Sequence, residues 1–314
     1  MKNVVCLLSF FAGCMWLATA QPVTGRFEKQ VKCKADSSQT YTVYIPSGYS
    51  PGSLTALLIF LDPAARGGVP VRQYVSLAEE HHIIMAGSGN SRNFDGQSSV
   101  DAFVAVYNDL VSRFTIDPAR VWLAGFSGGA RAATLIAVNY PVVTGVIGCG
   151  AGFPGEMELS PGTMKAYAGL VGDRDMNFAE MMENSRYLSE KQIPNLLISF
   201  SGEHVWPPVQ HTGVVIEWLM EKAGYGSLTC SPGATRILEA ASRKADSGYL
   251  YSAWQVAEQL KGLAGCREQA SALASSVSAD KKFSDDKKLF EKAAEEELNH
   301  MNAFSLRFGK ILAG

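Results

Sequence analysis

Apolar positions along this chain fall into two regimes. Thr55–Leu61 (TALLIFL) is apolar without interruption, which predicts a strand buried on both faces. Shorter runs at Ile83–Ala86, Arg120–Ala124, Val142–Cys149, Ala166–Val171 and Asn195–Ser201 predict further strands of the same kind. Between them lie helical segments: Val71–His81, Ser98–Phe114, Ala130–Val138, one beginning near Asn177–Phe178, and Gln210–Lys222. Ser98–Phe114 is the clearest, with Val100, Phe103, Val104, Tyr107, Leu110 and Val111 at helical spacing. Gly25–Lys34 and Tyr41–Pro46 alternate and predict antiparallel edge strands, and Asp117-Pro118 predicts a break before the Arg120 strand. Strands alternating with helices predict an α/β fold with a doubly wound, mostly parallel sheet.

After Gly224-Tyr225-Gly226 the strand signal stops. Helices are expected at Ala234–Ala245, Tyr249–Leu263, Arg267–Ser276 and Asp285–Phe308, a C-terminal all-helical extension over 227–314 beyond a domain at 21–226. Gly248-Tyr249-Leu250 followed by Ala253, Trp254 and Ala257 is similar to a tetratricopeptide-type helix pair. One such pair cannot bury its apolar face alone, so it is expected to pack on the first domain or on a protein partner. At the other end, Lys2, the apolar run Val4–Leu17 and Ala18-Thr19-Ala20 form the three parts of a signal peptide over 1–20, with a mature start at Gln21. Phe11-Ala12-Gly13-Cys14 is a loose lipobox, so a lipid anchor at Cys14 is the alternative to soluble export. Either route predicts an exported protein, periplasmic or secreted, and no membrane span in the mature chain.

Composition narrows the partners. With 47% hydrophobic residues and a formal net charge of −2 over 314 residues, the chain can bury a large core, and bulk charge does not drive it to nucleic acid or a membrane surface. Beyond the signal, Cys33, Cys149, Cys230 and Cys266 permit two disulfides in three pairings, of which Cys230–Cys266 would staple the helical region. No cysteine spacing suits zinc. No metal and no cofactor are expected.

The chemistry centres on Gly125-Phe126-Ser127-Gly128-Gly129, a G-x-S-x-G between a strand and a helix. Glycines there let the chain turn sharply and hold Ser127 Oγ at the tip of the sheet, beneath a helix N-terminus that favours negative charge. Serine needs a base, and in such a sheet the partners follow in the order serine, acid, histidine. Of the five histidines, His204, His211 and His300 come after Ser127. His204 leaves the carboxyl end of the Asn195–Ser201 strand, where ligands collect in open α/β sheets, and is the expected base. The acid should leave the preceding strand, in Gly172-Asp173-Arg174-Asp175. Asp175 is favoured by its reach. Asp173 competes, and either could instead cap the next helix.

From Thr40 to Lys222 the chain resembles an α/β-hydrolase, and within that superfamily it is similar to secreted esterases of the polyhydroxybutyrate depolymerase and feruloyl esterase type. The resemblance rests on Gly125–Gly129, on G-x-x-D at Gly172–Asp175, and on G-x-H-x-W-P at Gly202-Glu203-His204-Val205-Trp206-Pro207. It implies a Ser127–His204–Asp175 triad. Such esterases often carry His-Gly after the third strand, where a backbone N–H completes the oxyanion hole. Here Asp62-Pro63-Ala64 stands in that place, and proline has no N–H. The expected donors are therefore the backbone N–H groups of Gly128 and Ala64, with Asp62 needing a partner such as Arg66.

The function expected is hydrolysis of a carboxylic ester with a short acyl or aroyl group, small or polymer-linked, through an acyl-enzyme. Trp206 and the polar loop carrying Asn90 and Arg92 are the candidate substrate contacts. A serine peptidase of the same fold and a non-catalytic binding module are the competing readings.

Overall fold

The computed structural model describes residues 24–93, 96–153 and 157–313. The signal-peptide segment 1–20, with Cys14, lies outside the described residues. Eight strands form one sheet in the order β1-β2-β4-β3-β5-β6-β7-β8. They are β1 Arg26–Lys32, β2 Thr40–Ile45, β3 Thr55–Leu61, β4 Ile83–Ser88, β5 Ile116–Phe126, β6 Gly145–Cys149, β7 Tyr167–Gly172 and β8 Asn195–Phe200. β1 and β2 pair antiparallel, as does β2 with β4, and every other pairing is parallel. The sheet is therefore the mostly parallel, doubly wound one expected.

Helices cover both faces. Leu57, Ile59 and Leu61 of β3 pack with α3 (Gly96–Arg113) and α4 (Gly128–Asn139). Ala56, Leu58 and Phe60 point the other way, toward α1 (Gly68–Gln73), α2 (Val75–His81) and α6 (Val209–Lys222). That two-sided cover is why β3 reads as an unbroken apolar run. α5 (Phe178–Glu190) links β7 to β8.

Two expectations need correction. Val71–His81 is not one helix but α1 and α2, which meet at Tyr74. The Tyr74 hydroxyl donates to the Pro207 carbonyl at 2.8 Å, so a tertiary contact holds the kink. Asp117-Pro118 does not break β5. The strand runs through it with a register shift opposite Thr55 and Leu57, and the Asp117 carboxylate takes up the irregularity by accepting from Ala119 N and Arg120 Nε.

The C-terminal region is helical: α7 Pro232–Asp246, α8 Leu250–Leu260, α9 Arg267–Ser278 and α10 Phe283–Ala313. α7 starts with Ser231 Oγ accepting from Ala234 N at 3.1 Å and proline in its first turn, a regular N-cap. Its apolar residues do not form a separate core. Ile237, Leu238, Ala253, Leu260, Ala270 and Val277 join the same buried cluster as Leu196 and Ile198 of β8. Cys230–Cys266 closes a disulfide over a separation of 36 residues, tying the start of α7 to the turn before α9, while Cys33 and Cys149 are buried free thiols.

Candidate active site

β5 ends at Phe126 and α4 begins at Gly128, so a single residue, Ser127, makes the turn. Its φ of 53° and ψ of −122° are strained for a residue with a Cβ. The conformation survives because both flanks are fastened. Ser127 N donates to Cys149 O on β6 at 2.8 Å, and Ser127 O accepts from Ala130 N at 2.9 Å. Glycine is required on either side for close approach of main chain. A Cβ at Gly125 would lie 2.0 Å from the Gly129 carbonyl oxygen, and one at Gly129 would lie 2.0 Å from the Leu61 carbonyl oxygen.

Asp175 and His204 come together. His204 Nδ1 lies 3.0 Å from Asp175 Oδ1 and 2.9 Å from Oδ2. Asp175 is buried, and its Oδ1 also accepts from Asn177 N at 2.9 Å. A carboxylate on Nδ1 sets the imidazole tautomer that leaves Nε2 without a proton, as a general base requires. Gly150, at φ 62°, closes the gap to the serine. A Cβ there would meet Asp175 Oδ2 at 2.8 Å and His204 Nδ1 at 3.1 Å, and the preceding residue, Cys149, holds Ser127 N. Asn177 Nδ2 donates to Gly150 O at 2.6 Å and locks this junction. The Phe126 ring packs on the His204 ring with centroids 4.6 Å apart.

The other sequence candidates are placed as follows. Asp173 accepts from Gly202 N and pairs with Arg174 and Lys244 at the surface, away from the imidazole. His211 lies in α6 against Phe200, and the side chain of His300 lies outside the described residues. Ala64 N is not free to bind an oxyanion, because it donates to Asp62 Oδ1 at 2.9 Å. Asn90 is a structural tie: its Oδ1 accepts from Thr40 N, and its Nδ2 donates to Ser38 O. Trp206 Nε1 donates to Asp62 Oδ2 at 3.1 Å, and the ring packs with Phe60, Tyr74 and Phe126. Arg92 is exposed and bridges Ala64 through its backbone.

Asp62 is the residue whose role the sequence concealed. Its side chain is fully buried, and Arg66 Nε donates to it at 3.0 Å. Burial by itself would push the carboxyl up, but the bonds from Arg66, Ala64 N and Trp206 hold it below its ordinary range. It thereby joins the loop after β3 to the loop that carries His204. Another unforeseen neighbour is Glu297 of α10. Burial, and then the charge of Asp175, push its carboxyl up, so the C-terminal helix comes within electrostatic reach of the site. Phe290 of α10 packs on Phe178, three residues after Asp175, with ring centroids 5.9 Å apart.

Among the described residues, Glu80, His81 and Glu217 bring ligand atoms within 4.8 Å of one another elsewhere, beside a cavity of ≈ 450 Å³ that also reaches Arg120, Tyr225 and Cys230.

Residues 78–164 match the family described as Esterase PHB depolymerase. No curated protein matches the chain. Among solved structures, a hyperthermophilic esterase from Pyrobaculum calidifontis is 12% identical, with a TM-score of 0.51 over 65% of this chain and 87% of its own. FphF, a fluorophosphonate-binding serine hydrolase of Staphylococcus aureus, is 14% identical with a TM-score of 0.51 over 63% of this chain and 99% of its own. A Rhizomucor miehei esterase is 12% identical with a TM-score of 0.50 over 63% and 84%. At these identities the likeness is one of fold, over 63–65% of this chain. With the match over residues 78–164, it gives this chain the α/β-hydrolase fold and a partial similarity to the PHB depolymerase esterases.

Proposed function

We propose that this protein is an exported serine hydrolase that cleaves a carboxylic ester with a short acyl or aroyl group. Ser127 Oγ attacks the carbonyl carbon while His204 Nε2 takes its proton. His204 then returns that proton to the departing alkoxide, and Asp175 stabilises the imidazolium in between. Water, deprotonated by the same imidazole, releases the acid and restores Ser127. The Gly128 N–H, at the start of α4, faces the developing oxyanion.

The observation that carries this reading is a His204 whose Nδ1 is gripped by both oxygens of buried Asp175, in a chain that also holds Ser127 in a strained strand-to-helix turn. Arg92, exposed and bridged to Ala64 through its backbone, is the proposed substrate contact. Trp206 offers only its ring, since its N–H is engaged by Asp62. Export rests on the amino-terminal pattern, and the Cys230–Cys266 disulfide is consistent with an oxidising compartment. Among the described residues no helix is long and apolar enough to cross a membrane.

The test is fluorophosphonate labelling of the chain from Gln21 onward, beside Ser127→Ala and His204→Ala. The wild type labels and both variants do not. A folded wild type that fails to label refutes the mechanism.

A further inference from the structure

The loop after β3, which would ordinarily complete an oxyanion hole, has no N–H to offer. Pro63 lacks one. Ala64 N donates to Asp62 Oδ1 at 2.9 Å, Ala65 N to Asp62 O at 3.1 Å, Arg66 N to Asp62 Oδ1 at 3.4 Å, and Gly67 N to Ser88 O at 3.1 Å. Breaking any of these to receive substrate would strip a buried carboxylate or a strand end of its partner. The Gly128 N–H would then stabilise the tetrahedral oxyanion unaided.

One side chain lies against Gly128 beside that loop. Asn93 N donates to Pro63 O at 2.9 Å, which pins Asn93 to the loop that lost its donor. Its side-chain amide reaches Gly128 so closely that a Cβ there would lie 1.6 Å from Asn93 Oδ1 and 3.4 Å from Nδ2. The residue is exposed, and among the described residues the amide has no hydrogen-bond partner. A rotation about the terminal torsion exchanges its oxygen and nitrogen. This also explains Gly128, whose position in G-x-S-x-G makes no close main-chain approach of the Gly125 or Gly129 kind. Here only a side chain fills the space.

We propose that the Asn93 side-chain amide donates to the oxyanion of the tetrahedral intermediate, replacing the loop N–H and acting beside the Gly128 N–H. This rests on the serine-hydrolase reading above. The amide stabilises charge that exists only as the ester carbonyl becomes tetrahedral, so its contribution falls on kcat more than on KM.

The experiment measures kcat and KM for 4-nitrophenyl acetate with wild type, Asn93→Ala, Asn93→Asp, Gly128→Ala and the double variant Asn93→Ala/Gly128→Ala. Urea midpoints and fluorophosphonate labelling are followed alongside. Asn93→Ala lowers kcat on the order of 10²-fold, the usual loss for one oxyanion donor, with little change in KM or urea midpoint. Asn93→Asp loses more, because an ionised carboxylate repels the oxyanion. Gly128→Ala keeps its N–H but evicts the amide, so it shows a similar loss, and the double variant is no worse than the worse single. The proposal is overturned if Asn93→Ala stays within twofold of wild type. It is equally overturned if Asn93→Ala rescues Gly128→Ala, which would make the amide a mere steric neighbour. A wild type that neither labels nor turns over overturns the hydrolase reading itself, a result distinct from both.

Discussion

Replacing Asp62 with alanine should be among the most destabilising single changes outside the main apolar core. Its carboxylate is fully buried and accepts from Ala64 N at 2.9 Å, Arg66 Nε at 3.0 Å and Trp206 Nε1 at 3.1 Å. These bonds are unequal. The Arg66 side chain is 60% exposed, so water screens that pair, and losing it costs about 0–1 kcal/mol. Ala64 is exposed and Trp206 half-buried, and both bonds are part-buried, so each N–H left unpaired costs about 1–2 kcal/mol. Asp62→Ala should therefore cost about 2–5 kcal/mol, Trp206→Phe about 1 kcal/mol and Arg66→Ala less. Urea unfolding read by fluorescence and circular dichroism measures this as a fall in midpoint at unchanged slope. The pH dependence follows from the depressed Asp62 carboxyl. A folded pKa below the unfolded value of about 3.9 means that the stabilisation is complete above that pH. It is lost as pH falls through the folded value, so the gap between wild type and Asp62→Asn should close in strong acid. An Asp62→Ala protein within 0.5 kcal/mol of wild type, or an Arg66→Ala protein as unstable as Asp62→Ala, would refute the reasoning.

Two further predictions rest on other parts of the structure. Gly125→Ala and Gly129→Ala each force a Cβ to 2.0 Å from a main-chain carbonyl oxygen that cannot move aside, so both should lose fluorophosphonate labelling and about 3 kcal/mol or more of stability; stable, labelled proteins would contradict this. Among the described residues the buried His211 Nδ1 has no hydrogen-bond partner, and burial, then the charge of Lys244, lower its pKa to about 4. Between pH 6.5 and 4 the unfolded chain takes up a proton that the folded one refuses, so stability falls with pH by up to ~1.4 kcal/mol per unit. His211→Phe should flatten that slope, and a slope unchanged by the substitution would rule His211 out as its source.

How much of this was legible in the sequence depended on how local the cause was. The unbroken apolar run Thr55–Leu61 identified the central strand, because burial on both faces leaves no polar alternation to read. The order and spacing of Ser127, Asp175 and His204 pointed to one constellation, because chain order and strand ends govern which loops meet in a parallel sheet. Even the disulfide was within sight as one of three pairings. What stayed hidden depended on partners far along the chain. Asp62 looked awkward beside an oxyanion, since nothing local shows that Trp206, 144 residues on, donates to it. Ala64 looked like a donor because its N–H is spent on a side chain two residues away, a bond visible only in the folded loop. Asn90 and Asn93 are both asparagines of one polar loop. Only the fold separates them, locking one against β2 and laying the other on Gly128. Hydrophobic period and motif spacing are properties of short stretches, so the sequence by itself determined the elements and the candidate reacting groups. The assignment of each remaining polar group to structure or to chemistry is a competition among distant donors and acceptors, and the tertiary structure alone decided it.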